Sequence, residues 1–264
     1  MPIAAVNGIE IYYELGGDGP PLLFFNGSGT TLATTGPMID PFRTRFEVLA
    51  FDQRGLGRTT IPTGRYEMAD YAADAAALLD HVGWDRCRAV GISFGGMVAQ
   101  EFAVTCPERV ERLALVCTSP GGDFASYPLH EMAGKSEEEL LALGATLLDT
   151  RFTPAWLADH PGDARLVTLM AGRGGTRTAE QERGATEQLE ARRHHDVTDR
   201  LGAISCPTLV ACGRYDGIAP QSNSEAIAAR IPDAELRTYE GGHAFFVQDP
   251  AALPEILDFL DVVS

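Results

Sequence analysis

Short, unbroken apolar runs alternate with stretches of helical periodicity, and this constrains the fold more than any other feature of the chain. Pro21–Asn26 (PLLFFN), Phe46–Asp52 (FEVLAFD) and Pro207–Gly213 (PTLVACG) are continuous apolar runs. A strand apolar on both faces must be covered on both, as in a parallel sheet between two layers of helices. Cys87–Ile92 and Leu113–Cys117 read as further strands. Met68–Val82 carries Ala72, Ala75, Ala76, Leu78, Leu79 and Val82 at helical spacing and ends at Gly83, and Phe94–Cys106 reads as a helix stopped by Pro107. Such alternation predicts an α/β fold with a mostly parallel sheet and helices on both faces. Gly8–Leu15 alternates apolar and polar residues and leads into the turn Gly16–Pro20. The first two predicted strands have no helix between them, so that edge is expected to be antiparallel.

The alternation breaks after Thr118-Ser119-Pro120-Gly121-Gly122. From about 121 to 197 the sequence is helix-like and more charged, with Ser136–Leu148, the loop-like Ala171–Gly175 and Thr178–Arg193. Ser136 followed by Glu139 predicts a capping box. A helix is expected at about Ser222–Arg230, a strand at Ala234–Tyr239 and a last helix from about Ala251 to Val263. The simplest organisation is one α/β core, 1–120 and 198–264, interrupted by a helical cap, 121–197.

Composition narrows the class of partner. The formal net charge is −16 on 264 residues. Nucleic acid and anionic membrane surfaces require basic patches, so neither is expected as a partner. The N-terminus has no basic region followed by a long apolar stretch, so no secretory signal is expected, and no run approaches the roughly 18 apolar residues of a membrane span. Five cysteines (Cys87, Cys106, Cys117, Cys206, Cys212) without a C-x-x-C pattern read as buried reduced thiols of a cytoplasmic protein.

The chemistry centres on Gly91-Ile92-Ser93-Phe94-Gly95, between a predicted strand and a predicted helix. A serine on such a turn is held with its Oγ projecting from the sheet edge. It needs a base, and the base needs an orienting acid. His243, in GGHAF just after the last predicted strand, is the best-placed of six histidines. His81 is read as a helix-end partner, and His130, His160, His194 and His195 as solvated or packing residues. Adjacent side chains such as His194-His195 diverge, which argues against a metal pair. Asp216, in GRYDG after the strand Thr208–Cys212, is the first choice of acid, and Asp123 is the alternative. The oxyanion donors are expected to be the backbone N–H of Phe94 and that of Ser28, in the loop Asn26-Gly27-Ser28-Gly29. Asp52, in DQRGLG (52–57), reads as part of a structural turn.

Taken together, NGSG at 26–29, DQRGLG at 52–57, GISFG at 91–95, GRYDG at 213–217 and GGHAF at 241–245 resemble the α/β-hydrolase superfamily across nearly the whole chain. The pattern is most similar to small esterases and lactonases of the 3-oxoadipate enol-lactonase type, and to related C–C hydrolases and perhydrolases. The resemblance implies an eight-stranded, mostly parallel sheet with strand two antiparallel, a Ser93–His243–Asp216 triad and no cofactor. Asn26 stands where many relatives carry histidine. A serine nucleophile argues against dehalogenase and epoxide hydrolase chemistry, both of which use a carboxylate. The expected activity is hydrolysis of a small-molecule ester or lactone through an acyl-enzyme. A slow-turnover receptor, a perhydrolase and a C–C hydrolase are the alternatives on the same residues. Trp156, Met132, Phe124, Phe152, Met97 and Phe245 are candidate substrate contacts, with Phe246 beside the base. Thr30–Thr35 is expected to form a mobile rim. Arg151, Arg165, Arg173 and Arg177 read equally as carboxylate-binding or solvated.

Overall fold

The computed structural model describes residues 2–132, 135–171 and 177–262. The core elements run β1 (Ile3–Val6), β2 (Ile9–Gly16), β3 (Pro21–Phe25), α1 (Leu32–Arg43), β4 (Glu47–Phe51), α2 (Met68–Val82), β5 (Cys87–Ile92), α3 (Phe94–Thr105) and β6 (Val110–Val116). Four helices follow: α4 (Glu137–Leu148), α5 (Pro154–Asp159), α6 (Pro161–Ala171) and α7 (Ala179–Arg193). The core resumes with β7 (Thr208–Gly213), α8 (Gln221–Ala228), β8 (Glu235–Tyr239), α9 (Phe245–Gln248) and α10 (Ala252–Asp261). The expected loop at Gly172–Gly175, with Arg173, and the expected helix end at Val263 lie outside the described residues.

The eight strands form one sheet in the order β1-β2-β4-β3-β5-β6-β7-β8. β2 runs antiparallel to both β1 and β4, and the pairs from β4 through β8 are parallel. Alternate residues of each strand face opposite layers. Leu23 and Phe25 pack with α2 and α3, while Leu22 and Phe24 pack with α1 and α10. The continuous apolar runs are explained by this double covering.

Two elements depart from the sequence reading. β1 pairs with β2 across Asn7-Gly8, whose φ values of 48° and 76° are those of a tight hairpin turn. The stretch expected as a rim, Thr30–Thr35, enters a helix, because α1 begins at Leu32. Thr34, Thr35, Gly36 and Pro37 follow its first two residues and favour helix weakly, but the Leu32 N–H donates to the buried Asp52 Oδ1 at 2.7 Å. A carboxylate from 20 residues away thus satisfies a donor that no local cap reaches.

The segment between β6 and β7 closes on itself at its base. The Val197 N–H donates to the Pro120 carbonyl at 2.9 Å, and Gly121 forms an isolated bridge with Asp196. At the start of α4 the capping box forms as expected: the Glu139 N–H donates to Ser136 Oγ at 3.3 Å, and the Ser136 N–H to Glu139 Oε2 at 2.8 Å.

Candidate active site

Ser93 sits between β5 and α3 with φ 55° and ψ −117°. A non-glycine residue there stores about 1–3 kcal/mol of backbone strain. The surrounding packing enforces it. A Cβ on Gly95 would lie 2.1 Å from the Phe25 carbonyl oxygen, and one on Gly91 would lie 2.4 Å from the Gly95 carbonyl oxygen. Only glycine permits strand, turn and helix to approach this closely. The Ser93 N–H donates to the Val116 carbonyl at 2.8 Å, and Thr118 Oγ1 donates to the Ser93 carbonyl at 2.8 Å. The turn is therefore held from β6 as well.

The loops after β7 and β8 bring the other two groups to Ser93. His243 Nε2 lies 2.9 Å from Ser93 Oγ, and His243 Nδ1 lies 2.7 Å from Asp216 Oδ2. An ionised carboxylate only accepts, so the neutral ring carries its proton on Nδ1 and leaves Nε2 to accept from the serine hydroxyl. Asp216 Oδ1 accepts the N–H groups of Ile218 and Ala219, both at 2.8 Å, which fixes the carboxylate plane. The Asp216 side chain is fully buried, and that of His243 is 12% exposed. Asp123, the alternative acid, is exposed at the start of the segment between β6 and β7.

The 26–29 loop lies beside the serine: a Cβ on Gly27 would come within 3.9 Å of Ser93 Cβ. Asn26 pins this loop to the end of β4. Its Nδ2 donates to the Phe51 carbonyl at 3.1 Å, and its own carbonyl accepts from Gln53 Nε2 at 2.7 Å. From the other side, the Gly29 N–H donates to the fully buried Gln188 Oε1 at 2.7 Å, and Arg177 donates to the Gly29 carbonyl at 3.2 Å. Gln188 went unrecognised in the sequence. Its only signal is its place on the buried face of α7 with Gly184, Ala185, Ala191 and Arg192. Asp52 caps α1 and also accepts the Arg58 N–H at 2.9 Å, and burial raises its pKa; it does not touch the Ser93–His243 pair.

The end of α4 is stitched to both functional loops. The His243 N–H donates to the Leu148 carbonyl at 2.6 Å, Gly217 N–H to the Leu147 carbonyl at 3.1 Å, and Thr150 N–H to the Tyr215 carbonyl at 2.9 Å. The next residue, Asp149, is fully buried. Its Oδ2 accepts from Arg151 Nη2 at 2.6 Å and from Gln248 Nε2 at 3.0 Å. Arg151 is thereby committed to Asp149 and stacks over Tyr215. Arg165 is exposed on α6.

The candidate substrate contacts separate. Met132 lines an apolar cavity of about 290 Å³ that includes His243, Leu148, Met170 and Ile218. Met97 lines a smaller cavity of about 180 Å³ beside α3. Phe152 is buried with Leu148 and Ala244, and Phe245 stacks on Tyr239 in the core, so neither lines a cavity wall. Trp156 stacks on His160 and donates to Asp163 Oδ2 at 2.8 Å, and Phe124 lies under Arg230. Phe246 lines a third, apolar cavity of about 550 Å³ between α1, α6 and α10. His194 is exposed and His195 is buried, and His130 lines the 180 Å³ cavity with His195. Of the two roles expected for these histidines, His194 takes the solvated one and His195 the packing one.

Comparison with known proteins agrees with this architecture. A 3-oxoadipate enol-lactonase from Acinetobacter baylyi is 28% identical over 236 residues, covering 89% of this chain and 86% of its own. A poly(3-hydroxyalkanoate) depolymerase from Ectopseudomonas oleovorans is 30% identical over 250 residues, covering 91% and 84%. The crystal structure of an enol-lactonase from Burkholderia xenovorans superposes with a TM-score of 0.80 at 24% identity, over 99% of this chain and 100% of that one, a likeness of fold. The family model of the alpha/beta hydrolase fold matches residues 20–250, and on that match and this topology the chain belongs to the α/β-hydrolase family and is a hydrolase of that superfamily.

Proposed function

We propose that the protein hydrolyses a carboxylic ester or lactone of a small molecule through an acyl-enzyme on Ser93. The observation that carries this reading is the continuous relay from Ser93 Oγ to His243 Nε2 at 2.9 Å and from Nδ1 to Asp216 at 2.7 Å. His243 takes the serine proton as Oγ attacks the carbonyl carbon. The backbone N–H groups of Phe94 and Ser28 receive the oxyanion, and losing one such donor costs about 2.7–4 kcal/mol of barrier. His243 then protonates the leaving alkoxide, the C–O bond breaks, and water repeats the sequence on the acyl-enzyme. Asp216 holds the tautomer and stabilises the imidazolium. The apolar cavity at His243 supports an aliphatic portion of the substrate lying against Met132 and Leu148. Five free cysteines, four of them buried, support work in the reducing cytoplasm.

A fluorophosphonate probe followed by mass spectrometry tests the reading. Labelling is expected on Ser93 alone, with p-nitrophenyl ester hydrolysis abolished in Ser93→Ala. Undiminished hydrolysis by that variant, or labelling elsewhere, contradicts it.

A further inference from the structure

The buried face of α7 carries a cation that the relay does not use. Arg192 is 6% exposed and has no carboxylate partner among the described residues. It donates to the Tyr127 carbonyl at 2.8 Å and to Ser126 Oγ at 2.6 Å, and its Nε has no partner. The C-terminal dipole of α7 favours a positive charge there, but it offers Nε no acceptor. The guanidinium borders the cavity of about 180 Å³, whose wall also includes Met97, Ser119, Ser126, His130 and His195. Four further buried polar atoms on this wall lack partners: Ser119 Oγ, His130 Nδ1 and both ring nitrogens of His195. The Ser119 backbone approaches the His195 ring without reaching hydrogen-bond geometry. Buried polar groups are rarely left unpaired, and a buried charge without a counter-ion is costly. Here five unpaired atoms surround one space.

Two residues of its wall are tied to the turn that bears Ser93, and the Met97 N–H donates to the Ser93 carbonyl at 3.2 Å. Met97 lies one helical turn beyond Ser93 on α3, a rise of about 6 Å. Ser119 follows Thr118, whose hydroxyl holds the Ser93 carbonyl. We infer that this cavity is a subsite for a carboxylate carried on the acyl arm of the substrate, a few carbons from the scissile carbonyl, with Arg192 as its counter-ion. The inference rests on the hydrolase reading above. Arg193 also lines the cavity but pairs with Glu190 at 3.7 Å, so Arg192 is the wall's guanidinium without a carboxylate, and it matches the single negative charge that a carboxylate supplies. The planar donor fork of arginine suits the two carboxylate oxygens. Ser119 adds a donor, and the His195 imidazole adds one without adding charge, because burial holds its pKa down at about 4.

The test compares two near-isosteric esters, mono-p-nitrophenyl glutarate and p-nitrophenyl valerate, on the wild type and on Arg192→Met. A charge-assisted contact predicts that the wild type favours the glutarate ester by at least about tenfold in kcat/KM. Arg192→Met should lower that value about 50-fold while leaving valerate within about threefold. Arg192→Lys should recover part of the glutarate activity. Equal losses on both esters, or no preference in the wild type, overturn the subsite. A second arm does not depend on turnover: calorimetry of free glutarate on Ser93→Ala should show binding that Ser93→Ala/Arg192→Met lacks. No binding to Ser93→Ala means a cavity for water only and also overturns it. If neither ester is turned over, the hydrolase reading fails, and the glutarate arm still decides the subsite.

Discussion

Three side chains meet at the C-terminal edge of the sheet, and their unequal burial assigns them unequal duties. Asp216 accepts two backbone N–H groups on one oxygen and faces the histidine with the other, so in the proposed mechanism its carboxylate orients the ring and balances charge. Asp216→Asn keeps the shape but leaves Nδ1 facing an amide that can donate to it, which favours the wrong tautomer. We expect kcat to fall by about 10⁴ with little change in melting temperature, as in comparable relays. Asp123→Asn, on an exposed residue, should leave kcat unaltered. Steady-state kinetics and thermal melts on both variants decide this, and a reversed pattern removes Asp216 from its role.

At the scale of elements, the end of α4 is the joint between the inserted helices and the functional loops. Leu147, Leu148 and Thr150 exchange backbone hydrogen bonds with the 215–217 and 241–243 loops, and Asp149 anchors the joint to α9 through Gln248. Asp149→Ala leaves Arg151 without its carboxylate. Because the Arg151 side chain is 25% exposed, we expect a loss of about 2–3 kcal/mol, at the low end for a broken buried pair. Because the same strip carries the His243 loop, kcat should fall as well. Urea unfolding with parallel ester kinetics checks both, and destabilisation with unaltered kcat contradicts the coupling. The joint was illegible in the sequence because its links to the 215–217 and 241–243 loops span many residues and use backbone atoms, which sequence does not specify. α1 was hard to read for a related reason: Asp52, on a different strand end, takes its first N–H, and Thr34, Thr35, Gly36, Pro37 and Pro41 break its helical pattern. Asn7-Gly8, by contrast, is a dipeptide that favours the tight turn between β1 and β2 by itself. The loops bearing Ser93, Asp216 and His243 could also be read, because each follows a strand directly and carries glycines at the turn. The aromatic contacts misled because Phe152 and Phe245 have the same composition signature in a core as in a cleft.

For the whole molecule, stability is tied to pH through His195. Burial lowers its pKa from 6.5 to about 4, so on acidification the unfolded chain takes up a proton before the folded one. Stability is therefore unaffected by this group above pH 6.5 and falls between 6.5 and about 4, by up to about 3 kcal/mol. His195→Gln should lose less stability over that window. Urea midpoints from pH 7 to 4.5 on both proteins test this, and parallel curves contradict it. The closure of the inserted helices at their base has an evolutionary consequence. With the Val197 N–H on the Pro120 carbonyl, the chain leaves and re-enters the sheet at nearly one point. Everything between those two residues can be exchanged as one unit, and on the proposed mechanism such an exchange would re-tailor what is accepted while Ser93, His243 and Asp216 stay on an undisturbed chassis.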